Sequence, residues 1–182
     1  MKKGFTLVEL LVVVSLIGLF TVGAIWNIVT SKRISALGRT AEEVALKLRE
    51  FQNKSLISEL PSGSFPCGFG IHYKDDKSLI FFTEAPEAGG YECIFSGPDQ
   101  SVDRQYGGLG EEQEEIFFLK EGNYVKIQGS FPDIYFEPPD GLVYIDGGRD
   151  LPVASISLCL RSNCSTYQKV VKVYLGGRIE IE

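Results

Sequence analysis

A chain of 182 residues, 44% of them hydrophobic, has the length of one domain and enough apolar material for a core. Its 18 Lys and Arg against 24 Asp and Glu leave a net charge of −6, which argues against a nucleic-acid binder. Lys2 and Lys3 stand before a long apolar run, so the chain beyond Gly4 is more acidic still.

That run extends from Phe5 to Trp26, about 22 residues, long enough to cross a bilayer as a helix. Two lysines before it and no further cation until Lys32 predict a cytoplasmic N-terminus, with the remainder outside. Val22-Gly23-Ala24 resembles the cleavage site of a secretory signal. Against that reading, the run exceeds the usual apolar core of roughly 7–15 residues, and it holds a carboxylate. Glu9 is the one charge inside it. A charged group in the hydrocarbon layer costs about 2.5–3.5 kcal/mol, so Glu9 calls for a partner. The plain alternative is that Glu9, about 6 Å into the helix, reaches back to water.

No proline follows until Pro61, and Ile34, Leu37, Ala41, Val44, Leu48 and Phe51 recur at alternating spacings of 3 and 4, a single apolar stripe. The charged residues between them fall mostly off that stripe. Pro61 with Ser62-Gly63-Ser64 marks the stop. A helix from Phe5 to Glu59 would be about 80 Å long at 1.5 Å per residue. Gly18 and Gly23 allow close helix approach within its first half.

From Gly68 the pattern changes to period two, broken by Gly, Pro, Asn and Asp. Predicted strands are GFGIHY (68–73), SLIFFTE (78–84), YECIF (91–95), EIFFLK (115–120) and YVKIQ (124–128). They continue with IYFEP (134–138), LVYID (142–146), SISLCLR (155–161), KVVKVYL (169–175) and GRIEIE (177–182). Turns at Asn163 and at Gly176-Gly177 predict that the last three form a meander. Ile156, Leu158 and Leu160 share one face, leaving Ser155, Ser157 and Cys159 on the polar face.

Four cysteines, Cys67, Cys93, Cys159 and Cys164, permit three connectivities that sequence does not settle. Cys159 and Cys164 flank LRSN, a spacing that suits an exposed bridge across a hairpin, which leaves Cys67 with Cys93. A zinc site built from all four lacks any CxxC pair, and an exported head favours disulfides. His72, the sole histidine, has no accompanying Ser or Cys motif and reads as a half-exposed strand residue. Glu111, Glu112, Glu114 and Glu115 read as a solvated loop without calcium-loop spacing, and Asp140, Asp146 and Asp150 as turn residues. No enzyme, cofactor or metal is expected.

The stretch KKG-FTLVELLVV resembles the class III leader of type IV prepilins and type II secretion pseudopilins. The resemblance implies that a prepilin peptidase cuts between Gly4 and Phe5 and that the Phe5 amine is N-methylated. Lys2 and Lys3 would set orientation, and Glu9 would pair with the Phe5 amine of a neighbouring subunit. FEPPDG followed by ISLCLR and VVKVYLGGRIEI resembles the GspH/FimT-type minor pseudopilins. The fold implied is α+β and pilin-like, a long helix on an antiparallel β-rich head. Its parts are a leader (1–4), a transmembrane half-helix (5–27), an amphipathic half-helix (28–60) and the head (61–182). Unlike many pilins, the chain has no proline late in the hydrophobic segment. Partners implied are prepilin peptidase, other pilin subunits and the inner membrane, with the head outside. FimT-like members bind DNA through a basic GRxR tail, but here Gly177-Arg178-Ile179-Glu180 puts glutamate in place of the second arginine. The remaining alternative is an anchored or secreted β-domain outside any filament.

Overall fold

The computed structural model describes residues 7–57, 66–86, 93, 104–107 and 111–182, with backbone alone for 22–24, 26 and 111–113. Lys2, Lys3, Gly4, Phe5, the Pro61 stop and all of the YECIF stretch except Cys93 lie outside the described residues. One helix, α1 (Leu7–Ile57), is followed by nine strands among the described residues. The chain divides into two compact units between Ser35 and Ala36.

The second unit holds the core. In α1, Leu37, Ala41, Val44, Leu48 and Phe51 are buried as the stripe predicts, and Ala36 and Ala45 widen it. Ile34 departs from expectation: it is 41% exposed and precedes the first residue of this unit. Two antiparallel sheets meet the stripe. The first has the order β3 (Glu111–Phe118), β2 (Ser78–Ala85), β1 (Gly68–Asp75), β5 (Ile134–Glu137) and β6 (Leu142–Ile145). The second has the order β4 (Val125–Ile127), β7 (Val153–Leu160), β8 (Asn163–Tyr174) and β9 (Ile179–Ile181).

Alternation selects the inner faces. Phe69, Ile71, Leu79, Phe81, Ile134 and Phe136 of the first sheet join Ile156, Leu158, Val171 and Val173 of the second in one cluster with α1. Phe51 sits at the helix–sheet contact, edge-on to Phe69 (ring centroids 5.9 Å apart) and tilted over Phe81 (4.7 Å). The second sheet is tied to the helix through its last turn. Gln52 Nε2 donates to Gly177 O at 2.8 Å, and Arg49 Nη2 to Ile179 O at 3.2 Å. A side chain at Gly177, whose φ is +80°, would be strained and would collide with Gln52.

The acidic cluster is corrected. Glu111–Glu115 opens β3, paired residue for residue with β2, where a loop was expected. Within it, Glu115 meets Lys47 at 2.9 Å and Glu114 accepts the Tyr106 hydroxyl. The predicted C-terminal meander is present, but β8 begins at Asn163, earlier than expected.

The outer face of the first sheet carries a second, smaller cluster of Cys67, Ile80, Phe82 and Tyr135, against which Cys93, Tyr106 and Tyr144 pack. Glycine is required beneath it. A Cβ at Gly70 would lie 2.0 Å from the Phe82 ring, and one at Gly68 would lie 2.1 Å from that of Tyr135. Tyr135 and Glu84 are both fully buried, and the phenol donates to Glu84 Oε2 at 2.8 Å. Burial first, and then the carboxylate beside it, pushes the phenol well above its ordinary value of about 10. Below pH ~10 the folded and unfolded chains both keep this proton. Above it only the unfolded phenol ionises, so stability falls as pH rises, by about 1.4 kcal/mol per pH unit. Urea midpoints of wild type and Tyr135→Phe are therefore expected to run parallel up to pH ~9.5 and to converge above pH ~10.

Candidate assembly site on the N-terminal helix

The first unit presents an unusual surface. Leu7, Val8, Leu10 and Leu11, then Val12, Val13 and Val14, then Leu16, Ile17, Leu19 and Phe20 are all exposed. Runs of consecutive apolar residues longer than one turn leave no polar side, so the helix is apolar around its circumference. An apolar surface of this kind is ordinarily covered by other apolar groups. Its hydroxyls turn inward to the backbone: Ser15 Oγ donates to Leu11 O at 2.8 Å and Thr21 Oγ1 to Ile17 O at 2.7 Å. Bonded in this way they add little polarity to the surface. Gly18 meets no heavy atom within 4 Å of an added Cβ, so the helix surface is open there. Among the described residues no helix is long and apolar enough to cross a membrane.

Glu9 stands exposed in the first turn, where the helix dipole favours a carboxylate. Lys2, Lys3, Gly4 and Phe5 lie outside the described residues, so of the expected processing and assembly set the structure places only Glu9.

A model of the prokaryotic N-terminal methylation motif matches residues 1–25. The leader is of the type IV pilin-like kind. The matched segment includes the Gly4–Phe5 junction and Glu9, and it is consistent with processing by prepilin peptidase and assembly with other pilins. No curated protein and no solved structure matches the chain.

The cysteines pair as Cys67–Cys93 and Cys159–Cys164, with none free. The first bridge fixes Cys93, which stands outside any strand, against the outer face of the five-stranded sheet. The second corrects an expectation. Cys159 does alternate away from the core, yet it is fully buried, and Cys164 is half-buried, so this bridge is not an exposed one. Beside it, Arg161 donates from Nε to Gly122 O and from Nη1 to Asp76 Oδ2, both at 2.8 Å, tying the β1–β2 turn to the second sheet. The hydrogen bond from Arg161 holds the Asp76 carboxyl below the usual carboxylate range. Loop closure over 26 residues gives the Cys67–Cys93 bridge about 3.5 kcal/mol, and closure over 5 gives Cys159–Cys164 about 2 kcal/mol. Urea titrations of the paired serine variants are expected to lose stability in that order.

His72 is paired with Asp133. Its Nδ1 lies 2.7 Å from Asp133 Oδ1, and its ring stacks on Tyr106 at 4.5 Å. Asp133 Oδ2 accepts the Tyr106 backbone N–H at 2.9 Å, so the group pins residues 104–107 to the sheet. Asp133 and Tyr106 gave no local signal, because the contact spans 61 residues of chain. Among the described residues no group of three or more His, Cys, Asp or Glu is arranged to hold a metal ion.

Proposed function

We propose that this chain is a minor pilin or pseudopilin of GspH/FimT type, a structural subunit of a type II secretion pseudopilus or a type IV pilus-like filament. The methylation motif over residues 1–25 carries this reading, because it joins the Gly4–Phe5 junction to Glu9 at the head of an apolar helix. Cleavage after Gly4 frees a cationic amine on Phe5, and methylation keeps its charge. In a filament the Glu9 carboxylate of one subunit pairs with the Phe5 amine of the next. In an apolar surrounding the unpaired charges are penalised and the pair much less so, so one axial register is preferred. Before assembly the segment 5–27 anchors the subunit in the inner membrane, Lys2 and Lys3 hold the N-terminus inside, and the head stands outside. The protein acts as a building block, with no catalytic role.

The tail offers little to a nucleic acid. Arg178 stacks on the Tyr174 ring at 4.3 Å and meets Glu180 at 3.2 Å, while Lys172 meets Glu182 at 2.7 Å. Phosphate contacts need Lys and Arg, and here carboxylates already engage them.

The test is the intact mass and N-terminal residue of the protein isolated from membranes of cells with a prepilin peptidase. A chain beginning at methylated Phe5 with both disulfides formed supports the filament subunit. A chain beginning after Ala24 means a secreted domain, and an intact Met1 means a plain anchor.

A further inference from the structure

Two stretches of the chain have the form Asn-x-Ser, the acceptor pattern for N-linked glycans: Asn53-Lys54-Ser55 and Asn163-Cys164-Ser165. The structure separates them. The first lies inside α1, where Ser55 is fully buried and its hydroxyl donates to Gln52 O at 2.7 Å. A transferase has no access to that hydroxyl. The second lies at the tip of the β7–β8 hairpin. There the ladder steps from Cys159↔Gln168 directly to Leu160↔Asn163, so residues 164–167 loop out of β8 between two adjacent pairs.

Ser165 and Thr166 on this excursion, and Ser162, Asn163 and Gln168 beside it, are all exposed, and none is charged. The disulfide to Cys159 closes its base. Asn163 Oδ1 accepts from Ser165 Oγ at 2.9 Å and from Thr166 N at 3.2 Å, a turn that brings the serine hydroxyl onto the asparagine amide. The amide nitrogen has no hydrogen bond to any described residue.

We propose that Asn163 is a glycosylation site, its side-chain amide carrying an N-linked glycan at the tip of the head. The proposal rests on the filament reading above, which places the head outside the membrane. The donor class is a sugar carried on a polyprenyl diphosphate. Asn163 Nδ2 attacks the anomeric carbon, and a C–N bond forms as the C–O bond to diphosphate breaks. The diphosphate leaves with the electron pair, and the amide proton passes to a base of the transferase. The exposed hydroxyls of Ser162 and Thr166 provide hydrogen-bonding partners for the attached sugar, while Gln168 Nε2 already donates to Cys164 O at 2.6 Å.

The experiment is mass spectrometry of the full-length protein isolated from its native cells, intact and as the peptide containing Asn163. A sugar mass on Asn163 is expected, retained in Ser165→Thr and lost in Asn163→Gln and Ser165→Ala, with Asn53→Gln unchanged. A merely structural role for Ser165 does not predict that ordering. A chain beginning at methylated Phe5, with both disulfides formed but no sugar on Asn163, overturns the glycan and leaves the filament subunit standing. Sugar on Ser165 or Thr166 in place of Asn163 also overturns it. An intact Met1 with free thiols overturns the filament reading and the glycan with it.

Discussion

Glu9→Ala is expected to leave the head folded and to remove the subunit from filaments. Among the described residues the head's core takes none before Ala36, so thermal and urea unfolding of its two sheets should match wild type. Assembly is a different matter. On the filament reading proposed above, the variant would leave the Phe5 amine of a neighbour without its carboxylate in an apolar surrounding, at about 2.5–3.5 kcal/mol on insertion scales. With a factor of ten for each 1.4 kcal/mol, incorporation falls roughly a hundredfold. Glu9→Gln keeps the size and a hydrogen-bonding carbonyl, and should fall between the two. The readout is the amount of the subunit in sheared filaments relative to that in the membrane. Wild-type incorporation of Glu9→Ala would discard the register role while leaving the processing of Gly4–Phe5 untouched.

Phe51→Ala should have the opposite signature, with normal processing and an unstable head. The ring is almost fully buried and bridges α1 to β1 and β2 through Phe69 and Phe81, and Phe81 continues to Phe117 with ring centroids 5.8 Å apart. Lys54 Nζ lies 4.8 Å and Lys47 Nζ 5.4 Å from the ring centroid, so truncation also removes two cation–π contacts. Removing a buried phenylalanine costs about 3–5 kcal/mol. A domain's whole stability is about 5–15 kcal/mol, so the loss is large. Urea unfolding of the full chain in detergent, followed by tyrosine fluorescence, measures it. A loss below about 1 kcal/mol would mean that the helix–sheet contact relaxes around the gap. Phe51→Leu, which keeps much of the volume, should lose less.

The leader and the strands were legible because both are written locally. A peptidase reads a few adjacent residues, and a strand shows its alternation within five or six. The helix stripe was legible for the same reason from Leu37 to Phe51, and it misled at Ile34, where the period continues but the packed unit does not. Glu111–Glu115 was misread because charge density suggests a loop, whereas pairing with the buried β2 makes it a strand. Nor does alternation say what lies above a residue. Cys159 points away from the core and is still covered. The sheet orders, the joining of Asp133 to His72 and the grip of Arg161 on Asp76 depend on contacts between distant segments, which no window of sequence displays. At the candidate site around Glu9 the charge and its apolar setting could be read directly. The Ser15 and Thr21 hydroxyls bonded to backbone carbonyls could not.

The grip of Gln52 and Arg49 on the β8–β9 turn and β9 bears on how the head is made. The helix leaves the ribosome early, yet its Gln52 and Arg49 side chains donate to carbonyls that lie 125 and 130 residues further along the chain. Until β9 has emerged, the four-stranded sheet lacks only its edge strand and the core lacks Ile179, while β4, β7 and β8 already supply that sheet's share of the core. β9 therefore acts as a latch, covering the edge of β8 at the step where the Gly177 and Ile179 carbonyls reach the helix.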